Sequence, residues 1–476
     1  MSNHTLPRTA LVTGATGYVG AQLVPALLAD GWTVRVLTRS PDKLPEAWRD
    51  RVDVRVADAT DPYAVAAALR GADAAWYLLH SMDGRGDFVQ RDRDLANTFA
   101  YAARSERVGR LVYLSGLHPP HEELSPHLAS RVEVGQIFLD SGVPTAVLQA
   151  GVVLGAGSAS FQMLRHLTER LPAAFGPKWL HSTIQPISIE DVVFYLVRAA
   201  DLPDDANRTF DIGMDEVLTY EGMMKRYAQV AGLSRRRMGT VPVLTPGLAS
   251  HWVGLVTPVS SAIATPLVGS LIHDAVVHED DARQLMGVPP SGMRGFDDAV
   301  RAAMASYDPT LWSRTAARVG AGVLAASVVG SLLTTPRSHW YASLRKPPWQ
   351  PPSKAFPVVW TTLYGAIWVA ATSTLTELTE AGKQEDARAF ARALAINLTL
   401  NAGWSGIFFR GHALRAATAA AALLAASSTD LTRRAAPTGA GKAAGLGAYA
   451  AWTAFAALLS ADVARRNPDE GGGVGP

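Results

Sequence analysis

Val12-Thr13-Gly14-Ala15-Thr16-Gly17-Tyr18-Val19-Gly20 is the stretch that decides the first half of this chain. It follows the β-branched run that begins at Ala10 and leads into the amphipathic segment Tyr18 to Ala29, so a GxxGxxG loop stands between a strand and a helix. Glycines there let the backbone turn tightly and approach a pyrophosphate, whose charge then meets free N–H groups and the positive end of the helix. The competing reading is a purely structural glycine turn. The βαβ context separates the two, since an isolated glycine pattern carries little weight.

Outward from the loop, β-branched runs alternate with helical patterns. Strands are expected at ALVTG from Ala10, TVRVLT from Thr33, VDVRVA from Val52, DAAWYLL from Asp73, RLVYLS from Arg110 and PTAVLQ from Pro144. Helices are expected over Tyr18 to Ala29, Pro62 to Leu69, Asp87 to Arg104 and Pro126 to Leu139. This alternation predicts an α/β, doubly wound parallel sheet of Rossmann type. Strand two ends Leu37-Thr38-Arg39-Ser40, with no acidic residue for the ribose hydroxyls. Arg39, with Ser40, suits a 2′-phosphate, which points to NADP (NADPH); the alternative is a solvated arginine that ignores the nucleotide. Asp58, after strand three, stands where an adenine amine can donate to it. The cofactor set is therefore Gly14, Thr16, Gly17, Tyr18, Val19, Gly20, Arg39, Ser40 and Asp58.

With VTGATGYVG, VLTRSPDKL, YLLHSM, VYLSGL, GSASFQMLRHL and IQPISIEDVV, residues 8 to 305 resemble the atypical, NmrA-like branch of the short-chain dehydrogenase/reductase superfamily. The resemblance implies an NAD(P)-binding domain with a small substrate region from about Gly151. The family's catalytic Tyr-x-x-x-Lys belongs on the helix after strand five, yet that helix reads His127-Leu128-Ala129-Ser130-Arg131. The family's mechanism needs a phenol as general acid, tuned by a neighbouring cation. Ser115 is retained, Arg131 can hold the nicotinamide ribose, and His127 or His118 can carry the proton, although either histidine also reads as an ordinary surface or loop residue. Hydride transfer is left open. Ser188-Ile189-Glu190-Asp191 reads as a helix-opening capping box. Arg235-Arg236-Arg237 reads as a solvated charge run, and the proline-broken stretch Val241 to Ile272 as a substrate lid or wall, or a surface on the bilayer.

Composition excludes several classes. The 476 residues carry 44 Lys+Arg against 42 Asp+Glu, a net charge of +2, so no general field favours nucleic acid. There is no cysteine, which removes disulfides, thiol nucleophiles and Cys-bound zinc. No metal site is expected. The N-terminus lacks the pattern of a signal peptide.

Beyond Arg318, charges vanish from five stretches near the ~20 residues needed to span a bilayer: Val319 to Thr335, Phe356 to Leu375, Ala393 to Phe409, Ala416 to Thr429 with its flanks, and Ala443 to Ala461. Seven of twelve tryptophans lie between Trp312 and Trp452, a clustering expected of interfacial anchors or an aromatic site. Trp340 to Pro352 combines aromatics, cations and four prolines in one stiff loop, either a ligand cover or a connector. Trp340-Tyr341, KPPWQPPSKAFPVVWTTLY, LNAGWSGIFF and AYAAWTAFA make residues 316 to 467 similar to the TspO (translocator protein) family. The resemblance implies an all-α five-helix transmembrane bundle that binds tetrapyrroles such as protoporphyrin, or another flat hydrophobic molecule. Its candidate ligand residues are Trp340, Trp349, Trp360, Tyr364, Trp368, Asn401, Trp404 and Trp452. The last helix departs from the family, with Ala448 before Tyr449 and Ser460 where asparagine is usual, so sterol binding is not implied.

The expected organisation is a Rossmann domain over 1–305, a linker over 306–315, the TspO-like domain over 316–467 and a disordered tail over 468–476. The expected partners are the bilayer and a flat hydrophobic small molecule, with a homodimer among the options. The chain is read as a multi-pass membrane protein whose N-terminal domain is cytoplasmic, because NADP is there. Two functions stand side by side: an NADP(H)-dependent oxidoreductase with a tetrapyrrole-binding membrane domain, and a non-catalytic NADP(H) sensor regulating that domain.

Overall fold

The computed structural model describes residues 7–80, 87–120, 122–176, 178–240, 257 and 261–468. The chain divides into two units, Met1–Asp308 and Pro309–Pro476. The glycine-rich end of the expected tail lies outside the described residues, as does most of the proline-broken stretch Val241 to Ile272.

In the first unit, seven strands form one sheet: β1 (Thr9–Thr13), β2 (Thr33–Thr38), β3 (Asp53–Val56), β4 (Ala74–Tyr77), β5 (Arg110–Gly116), β6 (Thr145–Ala150) and β7 (Arg208–Ile212). Their order is β7-β6-β5-β4-β1-β2-β3, and every neighbouring pair is parallel. Six of the seven strands fall on the runs read from the sequence. The seventh, Arg208–Ile212, has charged residues at positions 208 and 211 that break its apolar pattern, and gains its identity by pairing with β6, Thr209 opposite Val147.

Helix α1 (Tyr18–Ala29) packs with a helix at Ile189–Arg198 on one face of the sheet, around Val12, Leu23, Val24, Trp76 and Val192. Helices α2 (Pro62–Leu69), α3 (Phe88–Ser105) and α4 (Pro126–Leu139) cover the other face, around Leu11, Tyr77, Phe99, Tyr113 and Phe138. Both faces are thus buried, which is why the strands read as nearly continuous apolar runs. Local chemistry starts the helices. Asp61 accepts from the Tyr63 and Ala64 amides, and Ser125 accepts from that of Leu128, each with proline at the first helical position. The capping role read for Ser188 holds, its hydroxyl accepting from the Asp191 amide at 3.0 Å.

A second core lies in the region after β6, where α5 (Ala159–Arg170), α6 (Ile189–Arg198), α7 (Tyr220–Val230), α8 (Ser261–Ser270) and α9 (Phe296–Met304) follow in order. One expectation fails here. Arg236 is not solvated but buried: its guanidinium donates to the Thr168 carbonyl at 2.7 Å and to Ser234 at 2.9 Å. A guanidinium tolerates burial only when its donors are met, and these acceptors meet them. Arg235 and Arg237 are exposed, as expected.

The second unit contains, among the described residues, five long helices: α10 (Leu311–Leu333), α11 (Ala355–Glu380), α12 (Gln384–Phe409), α13 (Leu414–Ala435) and α14 (Ala440–Arg466). Three of them, α10, α11 and α14, are long and apolar enough to cross a membrane, with mean hydropathies of 1.7, 1.3 and 1.3. The other two fall short: Arg392, Asn397 and Asn401 interrupt the apolar part of α12, and Arg415 and Asp430 bound a short alanine-rich stretch in α13. All five nevertheless turn large apolar side chains outward, among them Leu324, Leu332, Val358, Ile396, Leu423 and Leu458.

The bundle interior is polar at its centre. The Tyr364 hydroxyl donates to Asn401 at 2.7 Å, the Asn401 amide to the Tyr449 hydroxyl at 3.1 Å, and Tyr449 to Asn397 at 2.9 Å; Asn397 in turn donates to Ser427 and Ser428. This chain of bonds joins α11, α12, α13 and α14. An apolar exterior around a hydrogen-bonded interior is the arrangement expected of helices packed in lipid, where polar side chains hold neighbouring helices together.

Candidate functional site

The glycine loop owes its shape to two close approaches. Gly14 has φ +70°, and a Cβ there would stand 2.5 Å from the Leu78 carbonyl oxygen at the end of β4. A Cβ on Gly20 would stand 2.4 Å from the Gly14 carbonyl oxygen, so glycine at 20 is what lets α1 start hard against the turn. The Gly17 amide closes the turn on Gly14 at 2.9 Å, and the Thr13 hydroxyl bridges the ends of β1 and β4. This is the point where strand order reverses, the place at which open parallel sheets bind ligands. The cradle a dinucleotide pyrophosphate needs is present: bare backbone at a helix N-terminus, with no side chain to fill it.

A cleft of about 440 Å3 opens from that cradle. Gly14, Gly17, Tyr18, Val19 and Gly20 line one end, and Leu78, Leu79, Leu117, Leu128, Val152, Met163, Ile263 and Leu267 make most of the rest apolar. Three of the four sequence-predicted catalytic candidates, Ser115, His127 and Arg131, line it. Ser115 and Arg131 are tied together, the serine hydroxyl donating to the Arg131 carbonyl at 3.4 Å while the arginine donates to the Leu114 carbonyl. The Arg131 Nε has no hydrogen-bond partner among the described residues. A spare buried donor on a cation is what a ribose hydroxyl would satisfy.

His127, read as a surface or loop residue, is instead buried on α4 and lines the cleft, its ring edge-on to that of His80 with centroids 6.5 Å apart. Burial, reinforced by Arg131 and His80, pulls its pKa down to about 3, so the imidazole is neutral at physiological pH. His118 does not line the cleft; its ring nitrogens meet the Pro119 carbonyl and Gln149.

Thr16, Arg39, Ser40 and Asp58 lie beyond the cleft lining. Because β1, β2 and β3 are parallel neighbours, the turns after them share one edge of the sheet, which brings Arg39 and Asp58 to the same rim as the glycine loop. Arg39 is largely exposed and 3.5 Å from Asp58. The Thr60 amide and hydroxyl, with Arg39, hold the Asp58 carboxyl below the usual carboxylate range.

Sequence reasoning passed over three polar residues of the cleft. Tyr220 and His273 line it with His80; of the three only His80 falls in a motif, YLLHSM, which assigns it no role. His273 follows α8 in the chain, and its Nδ1 meets the Glu122 carboxylate at 2.9 Å across 151 residues of sequence. No local signal in the sequence announces that pairing.

In the second unit the eight candidate ligand residues do not converge on one point. Trp349 and Trp452 make ring contacts with Phe356 and Phe455, whereas Trp360 and Tyr364 group with Tyr449, and Asn401 joins that second group through its bonds to Tyr364 and Tyr449. Trp340 and Trp404 belong to another, with Phe408, Phe409 and His412. Trp368 stands apart, its indole N–H donating to the Ala316 carbonyl of α10 at 2.8 Å. Spacing by four puts Trp360, Tyr364 and Trp368 on one stripe of α11, but a neighbouring helix claims the third. The loop before α11 is tethered to α14 as well as stiffened by prolines. Arg345 and Asn467 exchange two backbone-to-amide bonds at 2.9 and 3.0 Å, and the Trp349 indole donates to Asp462 at 3.2 Å.

A parallel sheet in this strand order, with a glycine cradle opening into a cleft, defines a dinucleotide-binding Rossmann unit, here followed in one chain by a tryptophan-rich helical bundle. The chain belongs to the NAD(P)H-binding family, whose profile matches residues 14–140, and to the TspO/MBR family of membrane proteins, whose profile matches residues 319–466. It is similar to the ceramide reductase of Caulobacter vibrioides, 30% identical over 277 residues that make up 55% of this chain and 83% of that protein. It is also similar to the translocator protein of Sus scrofa, 34% identical over 141 residues that make up 29% of this chain and 80% of that one. Among solved structures, a nucleoside-diphosphate-sugar epimerase from Staphylococcus aureus shares the fold of the first unit, with a TM-score of 0.51 and 13% identity over 62% of this chain and 99% of that one.

Proposed function

We propose that this chain is a membrane-anchored, NADP(H)-dependent reductase acting on a lipophilic carbonyl compound, with its N-terminal unit in the cytoplasm. The observation that carries this reading is the continuity of the glycine cradle with an apolar cleft. A bound reduced nicotinamide would supply a hydride at the cleft. The Gly14 to Gly20 loop holds the pyrophosphate, Arg39 and Ser40 the 2′-phosphate, Asp58 the adenine, and Ser115 with Arg131 the nicotinamide ribose. Leucines, valines and methionine then surround the substrate and exclude water. The similarity to a ceramide reductase supports a long-chain amide lipid as the substrate class, with a ketone standing where the product carries a hydroxyl.

The second unit anchors the chain through all five helices. Ile396 and Leu423, exposed on the two less apolar helices, support spans there too, since a lipid-facing surface accounts for apolar side chains turned outward. Trp349, Trp360, Tyr364, Asn401 and Trp452 offer stacking faces and a polar edge to a tetrapyrrole or another flat hydrophobic molecule.

A sensor without chemistry is the second reading, favoured by the missing Tyr-x-x-x-Lys and by a His127 that stays neutral. The experiment that separates the two is NADPH oxidation by the full-length protein in detergent, with a ceramide whose hydroxyl has been oxidised to the ketone. Stoichiometric NADP and alcohol are expected. NADPH binding with no turnover of any lipid ketone would leave the sensor standing.

A further inference from the structure

The reductase reading needs a proton donor, and α4 offers neither a phenol nor a charged His127. We propose that His273, held by Glu122, is the acid–base group of the cleft. Four observations carry this. His273 lines the same cleft as Ser115 and Arg131. The residue is 8% exposed, on the turn that follows α8. Its Nδ1 lies 2.9 Å from a Glu122 carboxylate oxygen. Its Nε2 is buried and has no hydrogen-bond partner among the described residues.

A carboxylate on Nδ1 accepts that nitrogen's proton in a hydrogen bond and fixes the ring's orientation, leaving Nε2 to give or take a proton. An orphaned buried nitrogen costs free energy that a ligand oxygen would relieve. Other cleft groups suit the role less well. Ser115 is spent on the Arg131 carbonyl, and burial raises the Tyr220 phenol far above its ordinary value.

This rests on the reductase reading. A bound reduced nicotinamide would supply the hydride with its electron pair and be oxidised. As the carbonyl carbon accepts that pair, the C=O π electrons move to oxygen, which forms its O–H bond with the Nε2 proton. The ring is left neutral and recovers a proton from solvent; Glu122 changes no bond and acts as a positioning residue.

The test uses the full-length protein in detergent, with the ketone of a ceramide and 2-decanone as substrates, ceramide and 2-decanol as product alcohols, and NADPH binding read separately by fluorescence. His273→Gln keeps a hydrogen-bonding group near the Nε2 position but cannot transfer a proton, whereas His273→Leu keeps neither. Both variants should bind NADPH like the parent. Turnover should fall by about 10²- to 10⁴-fold in both, the usual range for a lost general acid. Alcohol binding to the NADP complex should weaken roughly three- to tenfold in His273→Leu, the worth of one hydrogen bond, and stay near the parent value in His273→Gln. Glu122→Gln should lower kcat with little change in KM, and Glu122→Asp should restore part of it. Parent-like turnover in His273→Gln, or unchanged alcohol binding in His273→Leu, overturns the proposal. A parent that binds NADPH and binds alcohols through His273 but never turns over a ketone overturns the reductase reading alone. A parent with no affinity for any of the four probes overturns both.

Discussion

Arg39→Asp tests whether this protein reads the 2′-phosphate. The guanidinium is 76% exposed and its ion pair to Asp58 spans 3.5 Å at the surface, so that pair contributes only about 0–1 kcal/mol. The substitution should therefore leave the melting temperature nearly unchanged. Its effect on the cofactor is larger. A charge-assisted bond to a phosphate is worth about 1.5–3 kcal/mol, and exposure moves the expected loss to the lower end, near tenfold in affinity. The new carboxylate also sets a like charge beside Asp58 and against the phosphate, while offering an acceptor to the ribose hydroxyls of NADH. NADPH binding should drop by about tenfold or more, NADH binding should hold or improve, and the preference should narrow as salt screens the surface charges. Fluorescence titration of both cofactors into the full-length protein and the variant measures this, with a thermal melt as the folding control. Equal affinities for NADPH and NADH in the parent, or an unchanged ratio in the variant, would refute the reasoning.

Membrane integration predicts that the full-length chain stays in the pellet after high-salt and carbonate washes of membranes; recovery in the wash would remove the anchoring role of the second unit. Titrating protoporphyrin into the solubilised protein should quench tryptophan emission saturably, and Trp349→Ala, which removes a side chain held by Asp462 and Phe455, should weaken that binding without unfolding the bundle. Equal affinity in a folded variant would make the loop a connector. For His127, the folded pKa of about 3 lies below its ordinary value, so the unfolded chain binds the extra proton as pH falls from about 6.5 towards 3, and the first unit loses stability over that window. At pH 5 the loss is about 2 kcal/mol, worked from roughly 1.4 kcal/mol per unit of pKa difference. His127→Asn should flatten the fall in denaturant midpoint between pH 7 and 4, and a slope identical to the parent's would show that His127 titrates normally.

What the sequence determined by itself is what repeats locally. Six strands, four helices, the glycine loop and the rise in apolarity after Arg318 are all written in neighbouring residues, because strand and helix periodicities and turn chemistry act over a few positions. The Ser188 cap was legible for the same reason. Tertiary structure alone decided what depends on distant partners. Arg208–Ile212 is a strand because β6 offers it an edge, Arg236 is buried because Thr168 and Ser234 accept from it, and Trp368 leaves its stripe-mates because Ala316 of α10 takes its N–H. The loop before α11 owes part of its hold to Asp462 and Asn467, more than a hundred residues on. The candidate site divides in the same way: the cradle was legible because it is one contiguous turn, whereas the Glu122–His273 pair was not, since folding alone closes 151 residues of chain into a 2.9 Å contact.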